Sequence, residues 1–204
     1  MSELERRAVH ASGVGIPVLY LLRLVEWRGV QFLLVALAVS VTALEFVRLV
    51  LGYEWELFDK LARSYERDNL AGYALYAYSQ LFVALVFAPK LALPAMLMLI
   101  IGDPVSGYLG SNDAGTAKEV GVLGVMFLVC FALAVPFLTA ALPLHIGVVA
   151  AAVGAAGATL ADGVKPVIAG YVIDDNLSIP PAAAVGFALV FVVAGPGLDA
   201  ALGF

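Results

Sequence analysis

Two short polar stretches interrupt an otherwise oily chain, and both carry carboxylates. The first is Ile101-Gly102-Asp103-Pro104-Val105. An aspartate at membrane depth costs on the order of 2.5–3.5 kcal/mol on insertion scales unless it is paired or holds a cation. The second is Ile173-Asp174-Asp175-Asn176-Leu177-Ser178-Ile179-Pro180-Pro181, ahead of the last apolar run. Adjacent carboxylates and an amide oxygen are hard donors, the kind that hold Mg²⁺ when it also bridges substrate phosphates. Both stretches equally suit helix starts. Asp103 can cap a helix whose first residue is Pro104, with Gly102 as the break; Asn176 or Ser178 can cap one with Pro180 in its first turn. Capping occupies one member of Asp174-Asp175-Asn176 and leaves a second carboxylate to other chemistry.

Cationic groups lie in similar places. Arg6 and His10 are four residues apart, on one helical face, just before the first apolar run. Lys118-Glu119 follows a glycine-containing loop, and Glu45 with Arg48 stands at the end of the second run. Arg6 also serves as a topology signal, and Glu45–Arg48 as an intrahelical pair. The sequence has no GxxxxGK[ST] loop, since Gly110-Ser111-Asn112-Asp113-Ala114-Gly115-Thr116 lacks the lysine. It has no GxGxxG after a strand, no HExxH and only two histidines, which excludes the common soluble nucleotide folds. His145 sits in an apolar run and reads as structural. The lone Cys130 permits neither a disulfide framework nor a cysteine zinc site.

What must position these residues is a set of membrane helices. Apolar residues are 63% of the 204 and charged residues 13%, against ~45–50% and ~25% in soluble domains. Mean hydropathy is +1.00. The expected fold is all-α: one polytopic transmembrane domain over residues 1–204, with about seven spans near 11–25, 30–51, 70–88, 90–109, 120–138, 143–161 and 179–196. The run from Leu91 to Ile101 is too short to cross alone at ~1.5 Å per residue. It must continue through Gly102-Asp103-Pro104 or re-enter. Trp55, Phe58 and Tyr65 recur at helical spacing, with Glu56–Lys60 and Asp59–Arg63 pairs, and predict a surface helix near 54–68 or a solvated connector. Arg6 and Arg7 ahead of an apolar stretch look like a signal peptide, but no cleavage pattern follows, so the stretch reads as a retained helix.

With the N-terminus cytoplasmic, Arg6, Arg7, Arg48, Lys60, Arg63, Arg67, Lys118 and Lys165 fall inside, and Arg23, Arg28 and Lys90 fall outside. That is the positive-inside pattern. The same orientation puts the polar segments 6–10, 45–69, 102–119 and 162–176 on one cytoplasmic face. A net charge of −5 and a pI of about 4.9 exclude nucleic acid as a partner.

Arg6-Arg7-Ala8-Val9-His10-Ala11-Ser12-Gly13 running into Pro17-Val18-Leu19-Tyr20 resembles the first helix of the CTP-dependent lipid-alcohol kinases. That family includes dolichol (polyprenol), phytol and yeast-type diacylglycerol kinases and is related to phosphatidate cytidylyltransferases. Gly102-Asp103-Pro104 with Gly107 and Gly110 is similar to its nucleotide loop. Asp174-Asp175-Asn176-Leu177-Ser178-Ile179-Pro180 is similar to its late motif. Glu45, Arg48 and Glu66 fall where the family has polar residues, and Asp162 where it has a glutamate. Lys118-Glu119 stands for a family Lys-Ser-x-Glu-Gly stretch that also differs here in lacking the serine. The resemblance implies a multi-pass cell-membrane enzyme moving the γ-phosphoryl group of CTP to a dolichol- or polyprenol-like alcohol. It implies Asp103, Asp174 and Asp175 around Mg²⁺ or another divalent cation. Arg6, His10, Gly102, Pro104, Gly110, Lys118 and Asn176 would line the nucleotide, supported by Glu45, Arg48, Glu66 and Asp162. The alternatives are a cytidylyltransferase making a CDP-lipid, and a small transporter or non-catalytic membrane subunit.

Overall fold

A computed structural model describes residues 10–53, 66, 69–110, 117–164, 166–168 and 171–203. Arg6, the predicted surface helix near 54–68 apart from Glu66, Lys165 and the loop 111–116 lie outside the described residues.

The described chain is helical apart from one small hairpin. In order it forms α1 (Gly15–Leu21), α2 (Trp27–Leu49), α3 (Gly72–Val86), α4 (Pro89–Leu97), a π-turn (Met98–Gly102), α5 (Asp103–Leu109), α6 (Val120–Ala141) and α7 (Leu144–Gly163). Strands β1 (Val167–Ile168) and β2 (Tyr171–Val172) pair antiparallel, followed by α8 (Asp175–Ala194) and α9 (Leu198–Ala201). The long helices are built mostly from runs of Ala, Val, Leu and Gly, and the helical conformation satisfies their backbone hydrogen bonds internally, as lipid requires.

Among the described residues, five helices are long and apolar enough to cross a membrane: Trp27–Leu49, Pro89–Leu109, Val120–Ala141, Leu144–Gly163 and Asp175–Ala194. The fourth predicted span does continue through Gly102-Asp103-Pro104, as α4, the π-turn and α5 in one rod. Two other predicted spans are shorter helices, His10–Leu21 and Gly72–Val86. At ~1.5 Å rise these cover about 18 and 22 Å, less than the ~30 Å hydrocarbon core. The first ends early because Arg23 turns the chain with φ at 58°.

The α4–π-turn–α5 rod forms the axis, with 72% of its most apolar window buried, whereas α2 and α6 bury 28% and 22% of theirs and lie outermost. Helices α3, α6 and α8 pack on α4, α7 lies between α6 and α8, and α2 packs on α3. The α7–α8 crossing is close because it is built on glycine. A Cβ on Gly186 would stand 2.9 Å from the Cα of Gly154, and one on Gly157 2.7 Å from the carbonyl of Ala182. Small residues are the usual means by which helices in lipid gain dispersion contact. At the far end from the polar residues, Gly203 donates to the Val86 carbonyl and Ala88 to that of Ala201, tying the C-terminal segment to the α3–α4 bend.

Candidate active site at one pole of the bundle

Apart from His145, the described polar residues singled out above come from separate stretches of the chain, and the helix ends carrying them meet at one pole. Asp103 opens α5, Asp162 lies in the last turn of α7, and Asp175 opens α8. One carboxylate oxygen from each lies within 4.8 Å of the others. Asp162 and Asp175 are 1% exposed, and the Asp103 side chain 17%. The group is therefore buried on two sides and reachable on the third.

Lys118, just before α6, is seated against this group. Its Nζ lies 2.7 Å from Asp162 Oδ1 and donates to Ser106 Oγ at 2.9 Å; Ser106 in turn donates to Asp162 Oδ2 at 2.5 Å. The Lys118 backbone N–H also bonds the Gly163 carbonyl at 3.2 Å, so main chain and side chain together fix α6 to the end of α7. Ser106 was not singled out from sequence, although it stands three residues after Asp103 and so on the same helical face.

His10 reaches the axis from the other side. Its Nε2 donates to the Leu99 carbonyl at 3.0 Å, its Nδ1 is 3.9 Å from Asp103 Oδ2, and its ring meets Tyr76 edge-on at 4.8 Å.

In the late motif the two aspartates take different places. Asp174 is the N-cap of α8: its Oδ1 accepts from the Asn176 N–H at 3.0 Å and from Asn176 Nδ2 at 2.6 Å. Asp175 Oδ1 accepts from the same N–H at 3.0 Å, and its carboxylate also reaches Asp103 and Asp162. The carboxylate group thus contains Asp103 and Asp175 of the expected metal set, with Asp162 beside them and Asp174 turned to the cap. The Asn176 carbonyl accepts from Ser79 Oγ at 2.6 Å, which joins α3 to α8.

Glu45, Arg48 and Glu66 build a support next to this. Arg48 grips Glu45 with two nitrogens, at 2.6 and 3.0 Å, and donates to the carbonyls of Glu66 at 3.0 Å and Asn69 at 2.5 Å. Glu45 also accepts from the Ala71 N–H at 3.1 Å and from the Tyr73 hydroxyl. One ion pair thereby ties the end of α2 to the start of α3. The buried Glu66 side chain comes close to Gly72, as does Asn176: a Cβ there would stand 3.1 Å from Asn176 Nδ2 and 3.3 Å from Glu66 Oε1.

The remaining expected residues are placed as follows. Gly102 packs flat on α6, where a Cβ would meet Cys130 Sγ and Met126 at 3.1 Å. Pro104 lies in the first turn of α5, and Gly110 caps its end with an N–H to the Ser106 carbonyl at 3.0 Å. His145, in the first turn of α7, is at the opposite pole.

Three carboxylate oxygens are the donor set of a hard divalent cation. Ligands bound at ~2.0–2.1 Å to one Mg²⁺ are at most ~4.2 Å apart, so a spacing within 4.8 Å fits after closing by a few tenths of an ångström. The site therefore fits such an ion. No protein-family model, no curated protein and no solved structure matches the chain.

Proposed function

We propose that the chain is a membrane phosphotransferase that moves the γ-phosphoryl group of CTP to a long-chain isoprenoid alcohol, giving a polyprenyl phosphate and CDP. The observation carrying this reading is the meeting of Asp103, Asp162 and Asp175 beside Lys118 and His10 at one pole of an apolar helix bundle. Phosphoryl transfer asks a protein mainly for positioning and charge neutralisation. A bound Mg²⁺ would supply neutralisation of the phosphate oxygens. Asp103 and Asp175 hold the ion, joined by Asp162. Asp174 with Asn176 fixes the start of α8 so that Asp175 points inward. Lys118 is the cation nearest the nucleotide phosphates, held ready by Asp162 and Ser106. In this reading the chain crosses the membrane seven times, with the short helices at His10–Leu21 and Gly72–Val86 completing the count. The N-terminus and the active pole face the cytoplasm. The alcohol's tail stays in lipid among the helices, and its hydroxyl rises to the carboxylates.

Membranes containing the protein, incubated with γ-labelled CTP, Mg²⁺ and a panel of prenols, should yield labelled lipid. Asp103→Asn should abolish the label in protein that still folds. Label entering lipid only from α-labelled CTP would replace the kinase by a cytidylyltransferase. Label from neither nucleotide, with no CTP bound, would overturn the enzyme reading in favour of a transporter or silent subunit.

A further inference from the structure

The axial helix changes register where it reaches the site, and the reason lies in its backbone. Within the π-turn the Asp103 N–H bonds the Met98 carbonyl, five residues back. The next donor in that register, at position 104, would serve the Leu99 carbonyl. Position 104 is proline and has no N–H. Leu99 O is therefore denied both regular partners: Asp103 N–H is committed to Met98, and Pro104 has nothing to give. Leu99 is fully buried, and an unbonded carbonyl there would cost about 1–3 kcal/mol.

We propose that His10 is a positioning residue whose Nε2–H replaces the hydrogen bond that Pro104 cannot make, locking the π-turn and with it the direction of Asp103. A carbonyl only accepts, so the 3.0 Å contact makes Nε2 the donor. That assignment turns Nδ1 towards Asp103 Oδ2, 3.9 Å away. The ring is held in this pose by Tyr76, against which it stands edge-on, and the chain after it is pinned to the same residue. Gly13 passes so close to the Tyr76 hydroxyl that a Cβ would fall 1.9 Å from it. The last turn of α4, just ahead of the π-turn, takes a second side-chain contact. Gln80 Nε2 donates to the Met96 carbonyl at 3.4 Å. Side chains from two flanking segments thus hold the chain at and just ahead of this irregularity, a kind of turn frequent at functional sites.

The hydrogen bond stands by itself, while its consequence for Asp103 rests on the phosphotransfer reading. The chain has two histidines, so a His145→Phe variant labelled with ¹⁵N-histidine reports His10 alone. The expected spectrum has Nε2 protonated, and a ring with Nε2 bare would overturn the proposal. The second measurement is a double-mutant cycle on thermal stability. His10→Leu should lower the midpoint, and Pro104→Ala, which restores an N–H at 104, should remove at least half of that loss. Equal losses in both backgrounds would overturn the proposal. If transfer activity is found, His10→Leu should lower turnover with little change in the KM for CTP, and Pro104→Ala should recover part of it. Absence of any activity in the parent protein would sink the kinase reading and leave the spectrum and the cycle to decide this one.

Discussion

The Lys118–Asp162 pair offers the sharpest perturbation, because both side chains are almost wholly removed from solvent, at 2% and 0% exposure. Breaking such a pair from one side strands a charge and costs about 3–5 kcal/mol, whereas removing both partners together costs much less. Asp162→Asn leaves the Lys118 ammonium with Ser106 Oγ and a neutral amide. Lys118→Met leaves Asp162 with Ser106 as its donor, facing the carboxylates of Asp103 and Asp175. For a chain of this size 1 kcal/mol moves the midpoint by about 2–4 °C, so each single variant should lose about 6–20 °C. The double variant Lys118→Met/Asp162→Asn should lose clearly less than the sum. The assay is thermal unfolding of purified protein in detergent, run with and without Mg²⁺. Any species that binds only the folded state raises the midpoint. Lys118→Met carries one cation fewer beside three carboxylates and should gain more from Mg²⁺ than the parent does. Additive losses, or single variants that lose only a degree or two, would refute the claim that this pair is buried and coupled. Equal Mg²⁺ responses would refute the claim that lysine and metal ion neutralise the same carboxylates.

Three other outcomes follow from the same geometry. Asp103→Asn and Asp175→Asn should each lower phosphoryl transfer by on the order of 10²–10³-fold, the usual loss for one preorganised electrostatic group, with stability near that of the parent; activity assays and unfolding on the same samples check this. Arg48→Met should cost about 3–5 kcal/mol, because it strands the buried Glu45 carboxylate and releases the carbonyls of Glu66 and Asn69, while Tyr73→Phe removes one bond to that carboxylate and should cost about 1.5–3 kcal/mol. Gly186→Ala should lower stability by about 1–3 kcal/mol through backbone overlap with Gly154, a loss that Gly121→Ala, with open space around it, should not show.

The helices were legible because hydropathy acts on each segment separately. Apolar runs such as Val120–Ala141 need no partner to declare themselves. The lengths of the first and third helices were less so: the ends of His10–Leu21 and Gly72–Val86 are set by a left-handed Arg23 and by the grip of Glu45 on Ala71, neither of which shows in composition. The pairing of Val167–Ile168 with Tyr171–Val172 went unpredicted, being two residues per strand inside a segment read only as polar. Within the site, Asp103, Asp175 and Lys118 stood out as charges beside apolar runs. Asp162 entered through resemblance, since Leu160-Ala161-Asp162-Gly163 by itself looks like any helix end. Ser106, Ser79 and Tyr76 passed unremarked because their roles exist only once α5, α7, α3 and α8 are side by side. The division of labour between Asp174 and Asp175 is set by the φ/ψ of the helix start, which a sequence of two identical residues cannot reveal.

The pole gathers its charges at points where the backbone is already polar. α3 and α8 begin there, presenting N–H groups and the positive end of their dipoles, and carboxylates from Glu45, Asp174 and Asp175 stand at those starts. Helix ends therefore offset part of the cost of collecting so many acidic groups. At the centre, Asp103, Asp162 and Asp175 gather beside the Lys118 ammonium, while the Arg48 guanidinium holds Glu45 and the carbonyls of Glu66 and Asn69. Three carboxylates within 4.8 Å around one cation repel each other in a medium of low polarity, where each such term is several-fold larger than in water. A divalent ion drawn between these oxygens would offset that repulsion, and in the proposed reaction it would arrive with the nucleotide.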